Sequence, residues 1–264
     1  MNYKYIISYR GCADSNRLEN LKSHIEYLFQ VKLKIKLDIF IIEQDSKPSN
    51  VQDISGISYH FLYNNGIFNK SWSYNYAYNI NSKNDTFIFA DCDCIMTPGD
   101  LISFLQEYDS SYKLNYDVIS PYNNKSFKFL TETDSNKVKS DLGILDNMKG
   151  TVDDLPPMLS GGIFLIKGEA YSKIKGFNEN FRGWGGEDNA FDNSVKFLDI
   201  RHTYLNIHCF HLWHGANDKT AYMSNQPKNQ KLWEAYYTNR KKFLLYHSSL
   251  DFNSLGNIEK YKYE

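Results

Sequence analysis

Thr86-Phe87-Ile88-Phe89-Ala90-Asp91-Cys92-Asp93-Cys94 is the stretch from which the rest of the chain can be read. Its first five residues form a β-branched and aromatic run of strand length, and two aspartates follow at once. A strand apolar on both faces belongs in a parallel sheet covered by helices. Carboxylates at its carboxyl end then stand where open α/β sheets bind their ligands. The flanking sequence agrees. Tyr3 to Tyr9 is a second such run, closed by Arg10-Gly11; Leu18, Leu21, Ile25 and Leu28 recur at helical spacing; and Leu37 to Glu43 is a third run, stopping at a polar cluster. Strand, helix, strand is the signature of a βαβ unit. Ile57 to Tyr63 continues as strand and Lys70 to Ile80 as an aromatic-rich helix. Tyr9-Arg10, Glu43-Gln44-Asp45 and Asp91 to Asp93 therefore all fall at carboxyl ends of strands.

Beyond this stretch, Pro98-Gly99-Asp100 reads as a helix start and Val118 to Pro121 as strand. The polar stretch 122–154 has little periodicity and is expected to be an insertion or a flexible loop. Gly161-Gly162-Ile163-Phe164-Leu165-Ile166 resumes with strand. The segment 176–186 is rich in glycine and aromatics, and Glu187-Asp188 opens a helix with Ala190, Phe191, Val195 and Leu198 on one face. From Lys228 onward, Leu232, Tyr236, Phe243 and Leu244 with interleaved Lys and Arg suggest a C-terminal amphipathic helix. There are no internal repeats.

Composition excludes several classes. A chain of 264 residues, 42% hydrophobic and 23% charged, is long enough for one sizeable domain or two closely packed halves. Thirty Lys plus Arg against thirty-one Asp plus Glu leave a formal charge of −1, so there is no basic field for a nucleic-acid backbone. The apolar runs are all far shorter than the ~20 residues that span a bilayer. The N-terminus enters a strand pattern without the apolar core of a secretory signal, so a cytoplasmic protein is expected. Four cysteines in a chain this long do not make a disulfide framework. The sequons at Asn69, Asn84 and Asn124 are then not read.

Three constellations carry candidate chemistry. Asp91 and Asp93 are two residues apart and share a side if extension persists. Together they would hold Mg²⁺ or Mn²⁺, hard ions that suit carboxylates and bridge a diphosphate; alone, such a pair is equally a solvated turn. In Phe181-Arg182-Gly183-Trp184-Gly185-Gly186-Glu187-Asp188, three glycines permit close backbone approach to a sugar and Trp184 offers a stacking face. Glu187 and Asp188 either act on substrate or simply favour the start of a helix through its dipole. In His208-Cys209-Phe210-His211-Leu212-Trp213-His214, two histidines three apart share one ion only if the chain turns between them, and Gly215 permits a turn. Imidazole beside carboxylate suits Mn²⁺. The cysteines Cys92, Cys94 and Cys209 raise zinc as a lesser alternative, but C-x-C lacks the usual second spaced pair.

Taken in order, these pieces resemble the GT-A glycosyltransferases, and most closely the β-1,4-galactosyltransferase-like group together with the bacterial chondroitin-polymerase-type enzymes. The residues that carry the resemblance are Ile6-Ile7-Ser8-Tyr9-Arg10, Phe68-Asn69-Lys70, Phe89-Ala90-Asp91-Cys92-Asp93, Gly161-Gly162-Ile163-Phe164, Gly176-Phe177, Gly183-Trp184-Gly185-Gly186-Glu187-Asp188 and His211-Leu212-Trp213-His214. The resemblance implies an α/β chain of GT-A fold, a Rossmann-like, mixed but mostly parallel sheet flanked by helices. A nucleotide-sugar half would span 1–100, an acceptor-binding and catalytic half 101–227, and a C-terminal helical extension 228–264. It implies a metal-dependent inverting transferase that moves a hexose or N-acetylhexosamine from UDP-Gal, UDP-GalNAc or UDP-Glc to a glycan hydroxyl in a β-linkage. Asp93, His211 and His214 map onto the Mn²⁺ or Mg²⁺ ligands, although the family's animal members have methionine where His211 stands. Tyr9, Arg10, Glu43, Lys70, Asp91 and Trp184 map onto donor contacts, and Asp188, with Glu187 beside it, onto the catalytic carboxylates.

Departures bear on the donor and the acceptor. The first strand lacks the proline of the animal enzymes, and the donor-selecting position falls at Leu159 or Ser160, where a residue smaller than an aromatic leaves room for UDP-GalNAc. The stretch 122–154 lies where acceptor-recognising loops are expected. A role in bacterial surface polysaccharide synthesis, such as capsule or lipooligosaccharide, is the expectation, with a glycan or lipid-linked glycan as acceptor. The basic C-terminal segment would then lie on the inner membrane, or else pack on the core as an ordinary helix. Two other readings stand beside this one: a sugar-binding module without activity, and a sugar-nucleotide nucleotidyltransferase, for which Gly11-Cys12-Ala13-Asp14 is a poor phosphate loop.

Overall fold

The computed structural model describes residues 2–11, 15–152, 158–183, 185–215, 219–237 and 239–261, with backbone alone for 15 and 219–226. In chain order the strands are β1 (Tyr3–Tyr9), β2 (Leu37–Asp45), β3 (Ser58–Tyr63), β4 (Thr86–Asp91), β5 (Cys94–Ile95), β6 (Val118–Ser120), β7 (Phe127–Phe129), β8 (Ile163–Lys167), β9 (His202–Tyr204) and β10 (Cys209–His211). The helices are α1 (Ser15–Lys32), α2 (Lys70–Asn79), α3 (Pro98–Glu107), α4 (Glu132–Ser140), α5 (Gly168–Ile174), α6 (Glu187–Phe197), α7 (Lys219–Tyr237) and α8 (Arg240–Ser249).

Seven strands form the main sheet in the order β3-β2-β1-β4-β8-β6-β9. The four from β3 to β4 run parallel, β8 is antiparallel to both neighbours, and β9 pairs parallel with β6. Alternation along the strands divides the core in two. Tyr5 and Ile7 of β1 and Ile88 of β4 face α1 and α3, which supply Leu21, Ile25, Leu101 and Phe104. Ile6, Phe87 and Phe89 face the other way, toward Trp72 and Tyr74 of α2, Tyr171 of α5 and Phe191 of α6. Phe87 and Phe89, two apart on one face, stack with ring centroids 5.7 Å apart. Truncating either fully buried ring to alanine would cost about 3–5 kcal/mol.

The order β2-β1-β4 places a topological switch point beside β1, because the chain winds away from it in opposite directions. The register sets Tyr9 beside Glu43 and Ser8 beside Asp91, so three carboxyl ends finish level with one another. Caps fix the helices that leave this edge. Asn69 accepts from the Trp72 amide at the start of α2, and Thr97 accepts from Asp100 at the start of α3, with Pro98 in its first turn.

Two expectations need correction. The stretch 122–154 is not a loop in its described part: it holds β7, α4 and a short 3₁₀ turn at Leu142–Asn147. Its apolar residues are too sparse to display a period, yet Leu130, Val138 and Leu145 are buried in the main cluster. β7, β10 and β5 form a second, three-stranded sheet. The C-terminal helix is in fact two helices. α7 begins at Lys219, well before 228, carries Pro227 inside it and packs on α6, while Leu244 of α8 is exposed rather than on the packed face. Beyond α8 the chain returns to α2, where Trp72 Nε1 donates to the Asn257 carbonyl at 2.8 Å. Among the described residues no helix is long and apolar enough to cross a membrane.

Candidate active site

The two aspartates that follow β4 part company. β4 ends at Asp91 and a turn at Cys92-Asp93 breaks the extension on which a shared side depends. Asp91 faces α2, with Tyr74 Oη donating to it at 3.3 Å and the Lys70 ammonium forming a looser ion pair at 3.7 Å. Asp93, only 4% exposed, faces the opposite segment, where His214 Nε2 stands 3.2 Å from Oδ2 and His211 Nε2 3.8 Å from Oδ1.

The chain leaves the extended strand between the two histidines: β10 ends at His211 and does not continue to 214. Ligand atoms of Asp93, His211 and His214 lie within 4.8 Å of one another, the one such group among the described residues. The His214 Nδ1–H donates to the Gly215 carbonyl at 2.8 Å, which leaves Nε2 turned on the Asp93 carboxylate. One carboxylate and two imidazoles are a donor set suited to Mn²⁺, and the two donor separations approach the roughly 3 Å between adjacent ligands of a small divalent ion. The residues present fit the metal. Burial pushes the Asp93 carboxyl up, but His211, Arg17 and His214 outweigh it and hold the group below its ordinary range. Among the described residues the cysteines offer no competing zinc site: Cys92 and Cys94 are buried and free, with thiols driven well above their usual range, Cys92 by burial and Cys94 by a hydrogen bond with the Cys209 thiol.

Lys70, in the first turn of α2, joins this centre to the second carboxylate pair. Its Nζ donates to both oxygens of Asp188 at 3.0 and 2.9 Å and lies 3.4 Å from Glu187. Glu187 and Asp188 open α6 behind Gly186, whose φ of +95° and close approach to the Phe181 ring suit glycine alone. Neither is reduced to a dipole effect, since Asp188 is spent on Lys70. Glu187 Oε2 is buried with no hydrogen-bond partner in the protein. Burial opposes the Lys70 charge, yet Asp188, Asp91 and Glu187 together hold it firmly protonated. Three acids exceed one ammonium. Burial, with the charges of Glu187 and Asp91, therefore pushes Asp188 well above the usual carboxylate range despite Lys70.

The remaining expected donor contacts are engaged within the protein. Arg10 donates to the carbonyls of Gln44, Asn64 and Gly66 at 2.6–2.9 Å and ties the end of β2 to the loop beyond β3. Glu43 accepts from Ser49 and from Tyr59 Oη. Tyr9 Oη and Glu43 converge about Gly11, where an added Cβ would sit 3.5 and 3.7 Å from them. Leu159 is buried in the core, while Ser160 is fixed by Asp192, which accepts from the Leu159 amide and from the Ser160 hydroxyl at 2.9 Å. Trp184 lies outside the described residues.

Three residues of α1 belong to the site although sequence reading passed over them. Arg17 stands 3.7 Å from Asp93 and 3.4 Å from the His214 ring nitrogens. Asn20 donates to the Trp213 carbonyl at 3.1 Å, and His24 donates to the Cys92 carbonyl at 3.3 Å. Their spacing of three and four puts them on one helix face. A polar stripe running beside the apolar Leu21, Ile25 and Leu28 was the available signal.

Comparison with known proteins follows the same lines. Residues 156–214 match a family model described as the N-terminal domain of galactosyltransferase. That segment, less than a quarter of the chain, contains Gly161-Gly162, Glu187-Asp188 and both histidines. No curated protein sequence matches significantly. Among solved structures, a Drosophila β-1,4-galactosyltransferase 7 catalytic domain with xylobiose aligns at 17% identity over 77% of this chain and 65% of its own, with a TM-score of 0.47. A mutant of the Drosophila enzyme, in complex with manganese, UDP-Gal and xylobiose, aligns at 16% identity over 81% and 71%, with a TM-score of 0.49. Residues 1–349 of Staphylococcus aureus TarS with UDP-GlcNAc align at 12% identity over 83% of this chain and 61% of that one, with a TM-score of 0.55. This last likeness is one of fold, and the fold is GT-A: a mixed, mostly parallel sheet between helices.

Proposed function

We propose that the chain is a metal-dependent inverting glycosyltransferase, moving a hexose or N-acetylhexosamine from a UDP-sugar to a hydroxyl of a glycan acceptor in a β-linkage. One observation carries the reading: Lys70 binds Asp188 and Glu187 on one side and Asp91 on the other, two residues from the Asp93, His211, His214 cluster. A carboxylate pair and a metal-ligand set thus border one strand edge.

Asp93, His211 and His214 would hold Mn²⁺ or Mg²⁺, which supplies positive charge for the departing diphosphate. Asp188 takes the proton of the acceptor hydroxyl as it attacks the anomeric carbon. Its raised pKa brings this base closer to the task than a solvated aspartate, because proton affinity and proton-transfer efficiency rise together. Lys70 orients Asp188 through two hydrogen bonds and adds a fixed positive charge beside Asp91. Glu187 Oε2, the unpartnered buried acceptor, receives a hydroxyl of the acceptor sugar. Holding both substrates at one edge removes the entropic part of the barrier.

The donor-selecting position, Leu159 or Ser160, has no bulky aromatic, which supports UDP-GalNAc among UDP-Gal, UDP-GalNAc and UDP-Glc as the donor. The resemblance to bacterial polymerase-type enzymes supports a role in surface polysaccharide assembly in the cytoplasm. α7 and α8 expose Lys228, Lys231, Lys241 and Lys242 beside Tyr237, Leu244 and Leu245, which supports peripheral binding to an anionic membrane carrying a lipid-linked acceptor. The test is UDP release from a panel of UDP-sugars, with Mn²⁺ or with chelator. Release confined to the Mn²⁺ arm supports the reading. Indifference to chelator, or consumption of UTP and sugar phosphate instead, overturns it.

A further inference from the structure

Four hydrogen bonds engage backbone groups of His211, Leu212 and Trp213, and their partners come from α1, from α4, from the residue after β7 and from the turn after β4. The His211 carbonyl accepts from the Leu130 amide at 3.0 Å, and the Leu212 amide donates to the Asp93 carbonyl at 2.7 Å. The Trp213 amide donates to Ser135 Oγ at 2.7 Å, while the Trp213 carbonyl accepts from Asn20 Nδ2 at 3.1 Å. Leu130 and Ser135 both belong to the segment 122–152. Ser135 is fully buried, on the face of α4 that also buries Val138.

The same segment reaches His211 by two further routes. β7 pairs with β10 in parallel register, Phe129 beside His211, and the Phe129 ring lies 5.1 Å from the imidazole. The segment also closes on itself, since Phe129 and Thr151 exchange amide-to-carbonyl bonds at 2.8 and 2.9 Å. It is thus a closed unit anchored in the main core by Leu130, Val138 and Leu145.

We propose that the unit formed by β7 and α4 is a brace for the metal-ligand turn, in which Ser135, assisted by Asn20 of α1, is a positioning residue that holds Trp213 and thereby sets His211 and His214 at Asp93. The stretch in which acceptor-recognising loops are expected thereby serves the metal as well. Physically, a turn that points two imidazoles at one carboxylate costs conformational entropy, which must otherwise be lost when the ion binds. Removing the Ser135 hydroxyl leaves a buried amide without a partner and frees the turn. Groups behind the ligands of a metal typically change its affinity by roughly 10–100-fold.

The inference rests on Asp93, His211 and His214 being metal ligands, and the test separates the two. Free Mn²⁺ is followed by electron paramagnetic resonance during titration of the full chain, with thermal melts as a check on folding. The expected result is that Ser135→Ala weakens Mn²⁺ at least tenfold, Ser135→Thr restores much of the affinity, Asn20→Ala weakens it to a similar extent, and Ser140→Ala on the exposed side of α4 leaves it unchanged. Equal Mn²⁺ affinity in wild type, Ser135→Ala and Asn20→Ala overturns the brace while leaving the metal centre intact. Failure of the wild type to bind Mn²⁺ overturns the metal centre itself. Should Ser135→Ala lose its cooperative melt, Asn20→Ala alone decides, since it cuts the tie from α1 and leaves α4 untouched.

Discussion

The ammonium of Lys70 lies within 3.7 Å of Asp91, Glu187 and Asp188, each no more than about a third exposed, so its removal strands negative charge where little water reaches. Breaking such a buried pairing costs roughly 3–5 kcal/mol. The cost depends on pH, and its sign follows from Asp188. With a folded pKa above the unfolded one, native Asp188 retains a proton that the unfolded chain releases, so stability declines as pH rises through that window. Without the cation the folded value climbs further and the decline steepens. Lys70→Met is therefore expected to melt well below wild type at pH 8 and closer to it at pH 5; a gap of equal size at both values would remove Lys70 from its place among the acids. Asp188→Asn tests the chemistry separately. It keeps the shape and removes the proposed base, so under the proposed function transfer should fall by about 10²–10⁴-fold while UDP affinity in Mn²⁺ stays near wild type. A purified variant with ordinary turnover would dismiss Asp188 as the base.

At the scale of elements, α1 has two tasks, and only one was legible in the sequence. Leu21, Ile25 and Leu28 repeat at helical spacing and mark the buried face, as do the apolar runs of β1, β2 and β4. Arg17, Asn20 and His24 carry no such mark, because their partners Asp93, Trp213 and Cys92 lie some seventy to two hundred residues away. For the same reason α4 was invisible: burial of Ser135 and Val138 alone makes no period. His24 gives α1 a measurable signature. It is wholly buried, donates to the Cys92 carbonyl and accepts from Tyr5 Oη at 2.9 Å, and burial lowers its pKa to about 4. A histidine with a depressed folded pKa contributes fully above the unfolded value of about 6.5, and its contribution is lost as pH falls through 4. The loss amounts to about 3 kcal/mol for a shift of this size. Denaturant unfolding of wild type and His24→Gln across pH 7 to 4 should thus show wild type leading at pH 7 and the lead vanishing on the acid side. A constant difference across the range would mean that His24 is not held neutral against the Asp91-to-Asp93 turn.

For the whole molecule, the sheet gathers charge from distant parts of the chain to one edge. Four carboxylates, Asp91, Asp93, Glu187 and Asp188, meet two cations, Lys70 and Arg17, so negative charge remains in excess even while Asp188 retains its proton. A diphosphate approaching that edge is repelled, and at separations of a few ångströms in a partly buried site each unit charge counts for kilocalories. A divalent cation on Asp93, His211 and His214 cancels the excess, so metal and nucleotide must favour each other. Linkage makes the effect reciprocal: Mn²⁺ raises the affinity for UDP by the factor by which UDP raises that for Mn²⁺, about 5–150-fold for couplings of ordinary strength. Calorimetric titration of UDP with and without saturating Mn²⁺ measures the factor directly, and melts of the same four states report it as a rise with both ligands larger than the sum of the two separate rises. Asp93→Asn, which takes one charge from the excess and one ligand from the ion, should bring the factor close to one. Equal UDP affinity in the presence and absence of Mn²⁺ would mean that the carboxylates at this edge, however close to the histidines, do not meet the diphosphate.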